Sequence, residues 1–177
     1  VISQYQVDEN AGFISLPFFE DFENETLGIF SEYSVSGVDQ SWHHDDYNDD
    51  NYAKMSNFNG SENIANEDWL ISPAINFNAY NNEELIFKSA MKDYDDFNCF
   101  LNLHYSTNYT GTGDPNIATW VEITNDAYWS TGNYEWVESG GIDLSGIVGS
   151  QVYIAFEYAS DAGSGKTWQI DDVSITA

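Results

Sequence analysis

The chain has almost no positive charge: 4 Lys or Arg residues stand against 30 Asp or Glu, a formal net charge of −26 over 177 residues. Nucleic acid is excluded as a partner, because affinity for a phosphate backbone comes from basic side chains that displace its counterions. Anionic membrane surfaces are disfavoured for the same reason. Cysteine is nearly absent too. Cys99 stands alone, so no internal disulfide can staple the fold, and its place in the apolar run NCFLNLHY reads as a buried thiol. No run approaches the ~18 apolar residues of a membrane-spanning helix, which argues against insertion. No segment sustains a capped i, i+3, i+4, i+7 apolar stripe, so little helix is expected. There is no signal peptide and no initiating Met before Val1; the sequence reads as a module excised from a longer, exported protein.

What the chain does contain is apolar and aromatic. At 42% hydrophobic and 16% aromatic residues it can bury the core of one domain, which separates it from a disordered acidic tail. Short runs rich in Tyr, Phe, Trp, Val and Ile recur between Asn/Asp/Gly/Ser clusters. Strands are expected over 17–23, 28–36, 52–57, 68–75, 84–92, 98–106, 119–124, 134–140, 151–159 and 167–176. That spacing points to an all-β fold, a two-sheet antiparallel jelly-roll β-sandwich over residues 16–177. Residues 1–15 read as a linker or the tail of a preceding module.

Two irregular stretches carry the polar chemistry. GVDQSWHHDDYNDDN, residues 37–51, is long for a loop in a packed domain and holds aromatic, His and carboxylate groups together. NDAYWSTGN, residues 125–133, is the second. Aromatic faces stack on sugar rings while neighbouring polar groups exchange hydrogen bonds with hydroxyls. Trp42, His43, His44, Tyr47, Tyr52, Tyr128, Trp129 and Tyr134 are therefore candidate ligand-binding residues. The competing reading is an aromatic plug closing one end of the sandwich. Trp69, Trp120, Trp136 and Trp168 sit in alternating runs and are expected in the core.

Carboxylates in such excess make a divalent cation the natural partner, and Ca2+ is the ion that all-oxygen sites prefer. Asp46, Asn48 and Asp50 copy the first half of a calcium loop, although Asn51 stands where the EF-hand needs Gly and no bidentate Glu follows. A second metal set comes from the ends of the fold: Asp21 and Glu23 of FFEDFE with Asp171 and Asp172 of QIDDV. Alternation puts Asp21 and Glu23 on one face, and near a core such charges need a counter-charge that four basic residues cannot supply everywhere. Zinc at His43–His44 is a minor reading, since adjacent strand residues face opposite ways. The GSGKT run at 163–167 mimics the end of a P-loop but lacks its first Gly and precedes a strand.

FFEDFE, DWLISPAI, STNYTGTGDPNIATW and TWQIDDVSI together resemble the secreted jelly-roll modules of Bacteroidetes, the choice-of-anchor J and cleaved-adhesin group, which are distantly MAM-like and carbohydrate-binding-module-like. The resemblance spans residues 17–176 and rests on Phe19, Asp21, Phe22, Glu23, Trp69, Leu70, Pro73, Tyr105, Ser106, Trp120, Asp143, Leu144, Trp168, Asp171, Asp172 and Val173. It implies a two-sheet jelly roll, placement outside or on the cell, frequent calcium, and no catalysis. The expectation is a monomeric, calcium-stabilised carbohydrate-binding module beside other modules of its parent chain, taking neutral glycans. The alternative is an adhesin module that binds protein.

Overall fold

The computed structural model describes residues 7–8, 12–95, 98–163 and 165–177. Its first half runs through β1 (Val7–Asp8), β2 (Phe13–Ile14), β3 (Phe18–Glu20), β4 (Ser31–Ser36), β5 (His43–Tyr47), β6 (Asp50–Ser56) and β7 (Asn66–Ile71). Two long strands follow, β8 (Glu84–Asp95) and β9 (Cys99–Ser106), then the short β10 (Val121–Glu122), β11 (Val137–Glu138) and β12 (Ile142–Asp143). β13 (Tyr153–Ser160) and β14 (Gly165–Thr176) close the chain. Helix among the described residues is limited to single 3-10 turns at Phe77–Ala79, Pro115–Ile117 and Thr124–Asp126.

The strands form two antiparallel sheets, the jelly-roll sandwich expected. One is five-stranded in the order β10-β9-β13-β7-β4; the other is seven-stranded along β11-β8-β14-β6-β5, with β12 on β8 and β3 on β14. The inner faces mesh in the core, where Phe87 of β8 meets Phe156 of β13 edge-to-face at 5.0 Å. Each such side chain taken from water stabilises the fold by roughly 1.5–3 kcal/mol. Period-two alternation in β14 sends Trp168 and Ile170 inward, and a bulge at Asp171–Asp172 resets the phase so that Val173 and Ile175 point inward instead. Asp172 takes φ +48° to make that bulge.

The outer face of the five-stranded sheet carries a second apolar cluster. Trp69, Ile71, Tyr109, Tyr153 and Ala155 pack there with Trp120, whose ring lies 5.0 Å from that of Trp69. That face is covered by the 107–120 segment, so β7 is buried on both sides. Trp69 and Trp120 are packing residues, as expected.

Residues 1–6 and 9–11 of the segment read as a linker lie outside the described residues. Ile14 is buried in the main core and its N–H donates to the Ala74 carbonyl at 3.0 Å, so the packed fold reaches into that segment.

Candidate functional site

The stretch 37–51 is not the irregular loop its composition suggests. β5 and β6 form a hairpin with Tyr47 opposite Asp50, joined by Asn48 and Asp49 at φ 56° and 64°. Two consecutive left-handed residues are what a tight hairpin turn requires, and Asn and Asp are among the side chains that tolerate them. The D-x-N-x-D spacing is therefore a strand end, a turn residue and a strand start. Asp46, Asn48 and Asp50 do not wrap around one point.

The hairpin fixes which side chains meet. In register, His43 lies opposite Lys54, Lys54 opposite Gln169, and Gln169 opposite Ala90, one row across the outer face of the seven-stranded sheet. Asp45 opposite Tyr52 makes the adjoining row. Over this face, the segment before β11 brings Tyr134 and Trp136, with Trp136 edge-on to Tyr52 at 5.7 Å. The result is a groove of two hollows. One, of about 510 Å³, is bounded by His43, Lys54, Phe58, Asn63, Tyr134 and Thr167 among others. Its neighbour, of about 680 Å³, is bounded by Asp45, Tyr47, Tyr52, Tyr134, Trp136 and Gln169 among others. Lys54 and Tyr134 border both.

The groove is polar, with one ion pair at its middle and further carboxylates, Asp46 and Asp50, on its border. Lys54 Nζ donates to Asp45 Oδ2 at 2.5 Å. Burial opposes ionisation of Asp45, yet the hydrogen bonds from Lys54 and the Asp46 backbone, with the Lys54 charge, together hold its carboxyl below the usual value. Burial, then the charges of Asp45 and Asp46, push the Tyr52 phenol up to about 12, so it stays a hydrogen-bond donor. His43 Nδ1 lies 2.8 Å from the Ser41 carbonyl oxygen, which sets the ring's direction.

Beyond the turn end of the groove lies an acidic group. β3 pairs with β14, so the strands at the two ends of the fold do adjoin. Burial raises Asp171 to about 8, with the charges of Asp172 and Asp50 adding to it. Asp172 is paired with Lys88 at 2.5 Å, and Glu23 accepts from the Asn51 N–H and side-chain amide at 3.2 and 3.0 Å. Buried Asp21 accepts from the Glu23 N–H at 3.3 Å. Among the described residues no three His, Cys, Asp or Glu side chains come close enough to hold a metal ion. The carboxylates expected as calcium ligands do not form such a site as they stand: Asp21, Glu23 and Asp171 accept from backbone N–H groups and Asp172 pairs with Lys88, while Asp46 and Asp50 belong to successive pairs of the hairpin, opposite Asn51 and Tyr47.

Of the aromatic and His candidates, His43, Tyr47, Tyr52 and Tyr134 border the groove. Trp42 does not: it is 1% exposed, part of the main core, and is corrected from ligand platform to packing residue. Trp129 is likewise packed on the core, its ring 5.0 Å from Phe87 and its Nε1–H donating to the Thr124 carbonyl. His44 turns to the other side of β5, where Nε2 lies 2.6 Å from Asn51 Oδ1. Tyr128 is exposed but lies against Gly140, away from the groove. Trp136, expected in the core, is in the groove instead. Lys54, Gln169 and Thr167 carry no motif; reading the turn at Asn48–Asp49 would have grouped Lys54 and Tyr52 with His43 and Asp45.

The fold has known counterparts. The K1 cleaved adhesin domain of Lys-gingipain from Porphyromonas gingivalis W83 superposes with a TM-score of 0.65 at 20% identity, over 90% of this chain and 97% of that one. The K3 domain of the same protein gives 0.63 at 18% identity, over 90% and 98%. The carbohydrate-binding module TmCBM61, solved with β-1,4-galactotriose, gives 0.53 at 14% identity, over 88% and 92%. These likenesses bear out the jelly-roll expectation. No curated protein matches the sequence significantly. Residues 76–177 match the family described as "Domain of unknown function (DUF5017)", more than half of the chain, and the protein belongs to that family.

Proposed function

We propose that the chain is a non-catalytic carbohydrate-binding module, which lays a glycan in the groove on the outer face of its seven-stranded sheet. The observation that carries this is the groove itself: exposed Tyr47 and Tyr134 with Trp136 beside His43, Asp45, Lys54 and Gln169. Aromatic faces take the apolar faces of sugar rings, and the polar groups between them exchange hydrogen bonds with hydroxyls. The likeness of the fold to a module solved with a galactotriose supports the reading. Its likeness to adhesin domains supports a place on or outside the cell beside other modules.

Binding of the wild type and Tyr47→Ala to an array of neutral and acidic polysaccharides tests this. Tyr47 is 70% exposed, so its removal leaves the core intact. The wild type is expected to give a defined glycan hit, and the variant to bind it about tenfold more weakly, a loss of about 1.4 kcal/mol, with its Tm unchanged. Silence across the array would overturn the reading and turn attention to protein partners.

A further inference from the structure

Building on the glycan-binding reading, we infer that the groove takes a linear, uncharged oligosaccharide in two adjoining subsites, and that Tyr134, preset by a left-handed turn, is the ring both subsites share. The two hollows meet at Lys54 and Tyr134. They follow β6, whose seven residues from Asp50 to Ser56 cover roughly 20 Å at strand rise. One sugar ring does not fill that length; a chain does.

The backbone around Tyr134 is unusual. Gly132, Asn133 and Tyr134 take φ 134°, 60° and 56° in succession. Gly and Asn adopt positive φ readily, whereas a bulky aromatic residue seldom does. Such outliers persist where surrounding contacts hold them, and they gather at binding sites. Here the contacts are explicit. The Tyr134 N–H donates to the Met91 carbonyl at 2.9 Å, and the Glu135 N–H to the Gly132 carbonyl at 3.2 Å. Ser130 Oγ donates to the Glu135 carbonyl at 2.7 Å and accepts from the Met91 N–H at 3.2 Å. Tyr134 belongs to neither apolar cluster and is 41% exposed. These hydrogen bonds run through main-chain groups and Ser130, so the segment fixes the backbone from which the Tyr134 ring projects, and fixing that backbone in advance lowers the ordering cost of binding.

Charge sets the substrate class. Lys54 borders both hollows but is held by Asp45, and Asp46 and Asp50 border the second hollow. A uronic or sulfated chain would meet these carboxylates with its own negative charge on a protein of net charge −26. A neutral chain meets only hydrogen-bonding partners.

The test is titration of the wild type, Tyr134→Gly, Tyr134→Asn and Tyr134→Phe with a neutral glycan series from monosaccharide upward and with an acidic counterpart, alongside Tm. Affinity is expected to rise with chain length to a plateau, and neutral chains to bind more tightly than acidic ones. Tyr134→Gly and Tyr134→Asn should lose at least tenfold on the longer chains while matching or exceeding the wild-type Tm. Tyr134→Phe should retain binding. Equal affinity for the monosaccharide and the longest chain, preference for the acidic series, unchanged binding by Tyr134→Gly and Tyr134→Asn, or a large Tm drop in both would each overturn the inference. A wild type that binds no glycan would overturn the functional reading as well; a binding wild type with indifferent Tyr134 variants would overturn this inference alone.

Discussion

Trp42 carries its indole into the space between the sheets, where Nε1–H donates to the Asp68 carbonyl of β7 at 3.2 Å. It ties the start of the β5–β6 hairpin to the opposite sheet. Trp42→Ala should therefore destabilise the protein by about 3–5 kcal/mol, the range for large aromatic residues truncated in a core; denaturant unfolding would show it, and a Tm near wild type would contradict the placement. Asp171 makes a different residue-scale prediction. Burial and neighbouring anions raise its folded value to about 8, and burial raises that of Asp68 to about 6. In both cases the native state holds a proton more tightly than the unfolded chain does. This contribution is fully present below the ordinary carboxylate value and is lost as pH rises through the folded one. Tm should thus fall from about pH 4 to about pH 8, and Asp171→Asn should flatten the fall. An undiminished slope in the variant would show that Asp171 is ionised across the range.

At the scale of the element, the β5–β6 hairpin shapes the site. Its turn places Asp49 at φ 64°, a conformation that costs most residues roughly 1–2 kcal/mol and glycine nearly nothing. Asp49→Gly should raise Tm equally in calcium and in EDTA. Asp49→Ala makes the same charge change without the freedom and should not. A loss of stability confined to calcium buffer would point to an ion at the turn instead. The strands packed on the core were legible from sequence because alternation and β-branched or aromatic residues mark them, as in β9 and β14. β5 was not: HHDDY is polar on both faces and lies at a sheet edge, so no buried side announces it. Trp136 departs from the core its run suggests for the converse reason. Its run looks like a core strand, yet only Val137–Glu138 pairs with β8, and the residues before it lean over the outer face. His43, Tyr47, Tyr52 and Tyr134 were found because aromatic and polar groups beside each other are visible locally. Lys54 and Gln169 join them only through cross-strand register, which no local pattern encodes.

At the scale of the whole molecule, the two outer faces differ. That of the five-stranded sheet is covered by the 107–120 segment over Trp69 and Tyr153. That of the seven-stranded sheet is open along β6, with aromatic rings on its borders. The net charge of −26 opposes the approach of further anions, and this is the ground for proposing an uncharged partner at the open face. The face proposed to bind glycan is this open one. The most direct measurement is calorimetric titration of the wild type beside Tyr47→Ala with a neutral glycan identified on the array. Saturable binding by the wild type, weakened about tenfold in the variant at equal Tm, is the result expected. Equal affinity in the two proteins, or no heat from either, would contradict it.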